Sequence, residues 1–285
     1  MKSMGRVLVT GSTGFVGRYV VPLLVKHELE VVTTSRDEKK ARQFDWYNKT
    51  EYKPCNIHES NIDFFSFFGE PDIIIHLAWD GLPNYKSSFH VEKNLPANCH
   101  FLKNFLDGGV KKIVVAGTCY EYGIQCGCLS EDAATMPVTQ YGLAKDTLRK
   151  YLEIMMPEYD TSFNWVRLFF MYGEGQNENS LIPQLKRAIL SGDKVFNMSG
   201  GEQLRDYLNV KTVAEYICRI ALQIKIDGII NCCSGKPISI RRLVEKIVSE
   251  MNSDITLNAG YYPYPDYEPL AFWGDVTRLK SIGDI

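Results

Sequence analysis

Along the first 170 residues, apolar positions gather in short bursts separated by longer stretches of mixed character. Residues 6–11 (RVLVTG), 30–35 (EVVTTS), 72–78 (DIIIHLA), 112–117 (KIVVAG) and 162–168 (SFNWVRL) are rich in β-branched side chains, as strands buried on both faces require. Two of the intervening stretches, 89–107 and 141–155, carry apolar residues at helical spacing instead, and this spacing predicts helices. Strands alternating with helices imply a parallel sheet covered on both faces. The expected fold class is α/β, doubly wound, of the Rossmann type.

After residue 168 the alternation breaks up. GEGQNENS (173–180) and MSGGEQLRDY (198–207) are polar and glycine-rich, and YYPYPDYEP (261–269) is dense in proline and tyrosine. Such segments suit loops over a site better than core. Two further helices, expected at 210–223 and 239–251, flank a short strand, GIINCC (228–233). The expected organisation is a dinucleotide-binding domain over 1–168, to which 208–233 returns, and a smaller interleaved substrate-binding domain of 169–207 and 234–285.

Composition narrows the possible partners. The chain has 285 residues, 45% of them hydrophobic, enough for a substantial core. Lys and Arg total 32 against 34 for Asp and Glu, a formal net charge of -2, so no global basic field draws in nucleic acid or an acidic membrane surface. No apolar run approaches the roughly 20 residues that cross a bilayer. Eight cysteines occur without a CxxC pair or a histidine at zinc-ligand spacing, so free thiols, no metal and a cytoplasmic location are expected.

The first strand leads straight into TGSTGFVG, which sets Gly11, Gly14 and Gly17 at the opening of an apolar helix. In that context Gly11 permits a tight turn, Gly14 lets the backbone approach a pyrophosphate, and Gly17 lets helix pack on strand. The helix N-terminus then offers N–H groups and a positive dipole end to the anion. At the end of the second strand, where such folds separate NAD from NADP, the chain reads Ser35-Arg36-Asp37 with Lys39 and Lys40 following. Asp37 suits a helix cap, and Arg36 suits a 2'-phosphate, so NADP(H) is preferred with NAD(H) possible. The competing reading leaves Arg36 merely solvated.

QYGLAK (140–145) places Tyr141 and Lys145 four residues apart, on one helical face. Packing alone produces such pairs. The strand 112–117, however, ends at Thr118 on the carboxyl edge of the sheet, where ligands bind in open α/β folds. A hydroxyl, a phenol and an ammonium then converge on the crevice of the glycine loop. A nearby cation favours the phenolate and brings a phenol of pKa ~10 toward the working range.

TGSTGFVG, HLA (76–78), GTCYEYG (117–123), YGLAK, VRLFFMYGEGQ (166–176) and QLRDYLNVKTVAEYI (203–217) follow one another in the order of a known family. From about residue 5 to 280 the chain resembles an extended short-chain dehydrogenase/reductase of the NAD-dependent epimerase/dehydratase family, in its nucleotide-sugar 4-ketoreductase branch. The resemblance implies that Tyr141 is the acid/base, that Lys145 lowers its pKa and holds the nicotinamide ribose, and that Thr118 orients the substrate oxygen. It implies cofactor contacts at Thr13, Phe15 and Val16 in the glycine turn, at Asn56 and Ile57 beside the adenine, and at Leu77 and Ala78. Arg205 corresponds to a clamp on a substrate diphosphate, Leu181 to the segment bordering its base, Asn94 to a helix asparagine that shapes the site, and Trp79 with Asp80 to a wall of the sugar pocket. An exposed, salt-bridging Arg205 and a packing Trp79 are the alternatives. His76 reads as a satisfied core histidine.

The family's dehydratases carry Asp-Glu directly after the Thr, and here Cys119 and Tyr120 stand there, with Glu121 one position too late. Dehydration is disfavoured, since elimination needs that further acid and base. The expected reaction is NADPH-dependent reduction of the C4 ketone of a 4-keto-6-deoxyhexose nucleotide, dTDP-linked, for O-antigen or other surface polysaccharide. A sugar-nucleotide 4-epimerase with bound NAD is the rival enzyme, and a non-catalytic dinucleotide sensor the rival of another class. By analogy with the family, the helices at 89–107 and 141–155 form a homodimer interface.

Overall fold

A computed structural model describes residues 5–283. Strands β1 (Arg6–Thr10), β2 (Glu30–Thr34), β3 (Glu51–Tyr52), β4 (Ile73–His76) and β5 (Lys112–Thr118) join the strands Ser162–Leu168 and Gly228–Cys232 in one seven-stranded sheet. All its pairings are parallel. From one edge the order is Gly228–Cys232, Ser162–Leu168, β5, β4, β1, β2, β3. The direction of winding therefore reverses between β1 and β4. Ligands of open α/β sheets bind at such a reversal, outside the carboxyl ends of the strands. The fold is the expected doubly wound α/β arrangement.

The apolar bursts account for this directly. Val7, Leu8 and Val9 of β1 are fully buried, with Val7 and Val9 in one core and Leu8 in the other, as the two-residue period of a strand dictates. The first core is completed by Val20, Val21 and Leu24 of α1 (Gly17–Lys26) and by Val213, Ala214 and Ile217 of α7 (Val210–Leu222). Between these helices in chain order come α2 (Glu38–Ala41), α3 (Phe64–Phe67), α4 (Leu95–Gly108), α5 (Gln140–Met155) and α6 (Leu181–Leu190). Phe64, Phe101, Phe105, Leu148 and Leu152 from α3, α4 and α5 fill the second core. Each such side chain contributes roughly 1.5–3 kcal/mol relative to exposure.

The stretch read as one helix over 89–107 is two pieces: a π-helical turn, His90–Asn94, and then α4. Pro96 has no N–H to bond back into the preceding turn, and α4 ends on Gly109 at φ +86°. Farther along, α6 and α8 (Ile240–Glu250) enclose a third, smaller core of Ile182, Leu185, Phe196, Met198, Val244 and Ile247. A two-stranded parallel pair, Val195–Met198 with Thr256–Ala259, belongs to it. Among the described residues no helix is long and apolar enough to cross a membrane.

Candidate active site

The glycine turn has the tight geometry that a phosphate loop needs. Gly11 sits at φ +65°, and a Cβ there would lie 2.9 Å from the Ala78 nitrogen. A Cβ on Gly17 would lie 2.3 Å from the Gly11 carbonyl oxygen, so only glycine lets α1 start this close to β1. Outside the turn is a cavity of about 360 Å³ lined by Gly11, Thr13, Gly14, Asn56, Ile57, Leu77, Ala78 and Trp79 among others. A Cβ on Gly14 would lie 3.0 Å from the Gly11 carbonyl oxygen, and this tight turn leading into the first turn of α1 fits the diphosphate of a dinucleotide. Phe15 and Val16 are half-buried in the turn, and Val16 packs on the first core.

Arg36 and Asp37 differ in what holds them. Asp37 caps α2, its carboxylate accepting from the Lys40 N–H at 3.0 Å, as expected. Arg36 also lines the cavity, but its guanidinium is not simply solvated: Nη1 and Nη2 each donate to one Asp80 oxygen, both at 2.6 Å.

A neutral network fixes the floor. The Asn98 Oδ1 accepts from His76 Nε2 at 2.6 Å, and the Thr10 hydroxyl lies 3.0 Å from His76 Nδ1. The consistent tautomer carries its proton on Nε2, so Thr10 donates to Nδ1. Thr10 Oγ1 in turn accepts from the Leu77 and Ala78 N–H groups at 3.1 and 3.2 Å. Those two N–H groups are therefore engaged inside the protein, leaving carbonyl and apolar surface to face a cofactor. His76 is fully buried, and burial pushes its pKa down to about 3. It is the satisfied core histidine.

Thr118 and Tyr141 come together at the end of β5. Thr118 is 5% exposed and Tyr141 7%, and the Thr118 hydroxyl lies beside the phenol. Lys145 lies on the same face of α5, donates to the Ala116 carbonyl at 2.8 Å and has its Nζ 3.9 Å from the centre of the Trp79 ring. Burial lowers its pKa to about 7. The expected acidification of the phenol is not what this environment produces. Rings of His90, Tyr85, Trp79 and Tyr120 stand 5.3, 5.7, 6.0 and 6.2 Å from that of Tyr141, and burial among them raises its pKa against the opposing influence of the Thr118 hydroxyl. Desolvation is the larger influence, so the phenol is held protonated.

The far wall was only partly legible. Arg205 is buried rather than exposed, and its Nη2 donates to Glu268 at 2.8 Å. The Tyr120 hydroxyl donates to the other Glu268 oxygen at 2.6 Å, and the Tyr267 ring lies tilted against that of Tyr85, their centres 6.0 Å apart. The aromatic segment at 261–267 thus reaches the crevice through Tyr267. Leu181 opens α6 and packs on the third core. Glu121 faces inward, accepting from the Thr118 N–H, Trp165 Nε1 and Arg167 Nε. Asn94 is buried and donates to the Asp80 carbonyl at 2.9 Å. Burial raises the pKa of Cys119, which removes it as a reactive thiol. Tyr85 and Glu268 were not foreseen: Tyr85 carries no motif of its own, and Glu268 lies 63 residues from the arginine it holds.

Fold and glycine turn define a doubly wound dinucleotide-binding protein, with Tyr141 and Lys145 packed against Trp79 of the cavity wall. The sequence is specific about the kind. Residues 7–233 match the NAD dependent epimerase/dehydratase family, and the chain belongs to it. The dTDP-6-deoxy-L-talose 4-dehydrogenase (NAD(+)) of Aggregatibacter actinomycetemcomitans is 28% identical over 271 residues, 94% of this chain and 98% of that protein. The dTDP-4-dehydro-6-deoxyglucose reductase of Escherichia coli is 27% identical over 263 residues, covering 86% and 82%. Among solved structures, the UDP-N-acetylglucosamine 4-epimerase from Methanobrevibacter ruminantium M1 superposes with a TM-score of 0.86 at 25% identity, covering 100% of this chain and 93% of that one.

Proposed function

We propose that the protein reduces the C4 ketone of a dTDP-linked 4-keto-6-deoxyhexose to the corresponding 6-deoxyhexose nucleotide with NADPH, in the cytoplasm, for surface polysaccharide. The observation that carries this reading is the buried phenol of Tyr141 beside the Thr118 hydroxyl, with the strand-end carboxylate turned away from it. Glu121, the one carboxylate in the strand-end turn, is fully engaged by Trp165, Arg167 and the Thr118 N–H, so elimination lacks its groups while reduction has the single donor it needs. Both curated relatives bear names for chemistry at C4 of dTDP-6-deoxy sugars, which supports the choice of substrate.

A bound nicotinamide supplies the hydride. Tyr141 gives its proton to the oxygen on which charge develops, and the Thr118 hydroxyl donates a hydrogen bond to it. Lys145 holds the nicotinamide ribose and, as a cation, supports the phenolate left behind. Its amine, which titrates near 7 in this burial, gains charge when a hydroxyl or anion joins the Ala116 carbonyl as acceptor. Arg205 takes the substrate diphosphate by exchanging Glu268 for phosphate oxygens. Leu143 and Ile154 of α5 are 44% and 78% exposed and supply apolar area for a homodimer through α4 and α5.

The test is incubation with NADPH and a panel of dTDP-, CDP- and GDP-4-keto-6-deoxy sugars, with products identified by NMR. Reduction at C4 of the dTDP compound is expected, and no turnover across the panel overturns the reading. One observation favours a second reading, C4 epimerisation with retained NAD: the Arg36 fork is already filled by Asp80. Protein that purifies with NAD and converts a sugar nucleotide without consuming NADPH would establish that alternative.

A further inference from the structure

The Arg36–Asp80 pair bridges two separate strand ends. Arg36 follows β2 and Asp80 follows β4, on either side of β1 and its glycine turn. Both residues line the cofactor cavity, so the ion pair lies across the opening where the adenosine end of a dinucleotide enters in this fold. The geometry is that of a fork closed on a carboxylate, with Nη1 to Oδ2 and Nη2 to Oδ1 both at 2.6 Å. Asp80 is not free to follow the arginine away, because its carbonyl accepts from the buried Asn94 Nδ2 at 2.9 Å. Arg36, 61% exposed along its side chain, is the more accessible partner.

We infer that Asp80 determines cofactor choice by competing with a 2'-phosphate for the Arg36 fork. The inference rests on the reading of this cavity as the dinucleotide site and of Arg36 as the residue on its 2' side. The Nη1/Nη2 edge of Arg36, which Asp80 occupies, can grip one carboxylate or phosphate at a time. NADP(H) must break the Asp80 pair and then leave two anions side by side, whereas NAD(H) leaves the pair closed over its ribose. Arg36 alone favours the phosphate, and Asp80 sets how much of that preference is expressed. This is discrimination by an element built against one ligand.

The test uses binding without sugar substrate, so it is independent of the reaction. Dissociation constants of NADPH and NADH are measured by nicotinamide fluorescence, and those of 2',5'-ADP and ADP by calorimetry, for wild type, Asp80→Asn, Arg36→Ala and the double variant, each checked by its melting temperature. Asp80→Asn is expected to tighten NADPH and 2',5'-ADP about tenfold while NADH and ADP move less than twofold. In the Arg36→Ala background that gain should vanish. Equal shifts for both nucleotides, no shift, or a gain that persists without Arg36 overturns the role of Asp80 and leaves the cofactor site standing. A wild-type protein that binds none of the four probes overturns the cofactor site and this inference with it.

Discussion

The two flanks of Tyr141 satisfy their polar groups by different means. On the β1 side the buried groups are neutral: Thr10, His76 and Asn98 pass hydrogen bonds to one another and to the Leu77 and Ala78 N–H groups. On the side facing Glu268 they are charges in pairs, Arg205 with Glu268 and Arg167 with Glu121, with Arg149 on Asp146 behind them. A neutral, closed network in a low dielectric holds one shape whatever binds beside it. A buried ion pair can exchange one anion for another at little net cost, but losing one partner outright leaves a bare charge. On the proposed function, the first flank positions a cofactor, and the second accepts an anionic substrate in place of the carboxylate that Arg205 already holds.

Tyr141, where the flanks meet, gives the sharpest test. Tyr141→Phe keeps the ring and its aromatic neighbours but removes the proton, so turnover should fall about 10³-fold. Melting temperature and NADPH binding should stay near wild type. Full activity in stopped-flow NADPH oxidation would refute the acid role. Arg205→Ala tests the charged flank. It strands the Glu268 carboxylate in a pocket where the arginine side chain is only 3% and the glutamate 13% exposed, so stability should drop by about 3 kcal/mol in urea unfolding. Restoring neutrality with Glu268→Gln in the same chain should recover part of that loss, and no recovery would show that the pair is not the source.

How far the sequence carried differs between the flanks for the same physical reason. β1, β2, β4 and β5 were legible to within two residues because strands buried on both faces must be continuous apolar runs. The glycine turn was legible because a Cβ at Gly11 or Gly17 collides with backbone. Thr118, Tyr141 and Lys145 were singled out through a strand end, an i, i+4 spacing and the resemblance of GTCYEYG and YGLAK to the family's motifs, which are local signals. Arg205–Glu268 and Arg36–Asp80 join residues 63 and 44 positions apart, and no local pattern announces either pairing. The direction of the Tyr141 shift was missed because it depends on Tyr85, His90 and Trp79, brought in from other segments.

A smaller effect is expected from Gly17→Ala, which probes the rigidity of the first flank. Its new methyl would sit 2.3 Å from the Gly11 oxygen and 2.8 Å from the Ser12 Cα, both backbone atoms that no side-chain rotation relieves. Pushing α1 off β1 should cost about 2 kcal/mol and weaken NADH and NADPH alike. A variant that melts like wild type and binds both normally would show that the turn has slack.

The smallest expected effect is the most selective for the neutral flank, because acid is what gives it a charge. His76 has a folded pKa of about 3 against an unfolded value of 6.5. Between those values the unfolded chain binds a proton that the folded chain refuses, so the histidine's contribution is intact above pH 6.5 and is lost progressively as pH falls toward 3. The slope is at most about 1.4 kcal/mol per pH unit, so about 1 kcal/mol is expected over the first unit below 6.5. Burial also lowers the pKa of His90 and raises those of Glu121 and Glu131, so the measurement is a difference: urea unfolding of wild type and His76→Gln at pH 7.5, 6.5, 5.5 and 4.5. The variant is less stable at pH 7.5 through its lost hydrogen bonds, and the gap should narrow as pH falls, because only the wild type has a histidine to charge. A gap that stays constant with pH would mean that His76 accepts its proton in the folded state, and the contrast between a neutral flank and a charged one would go with it.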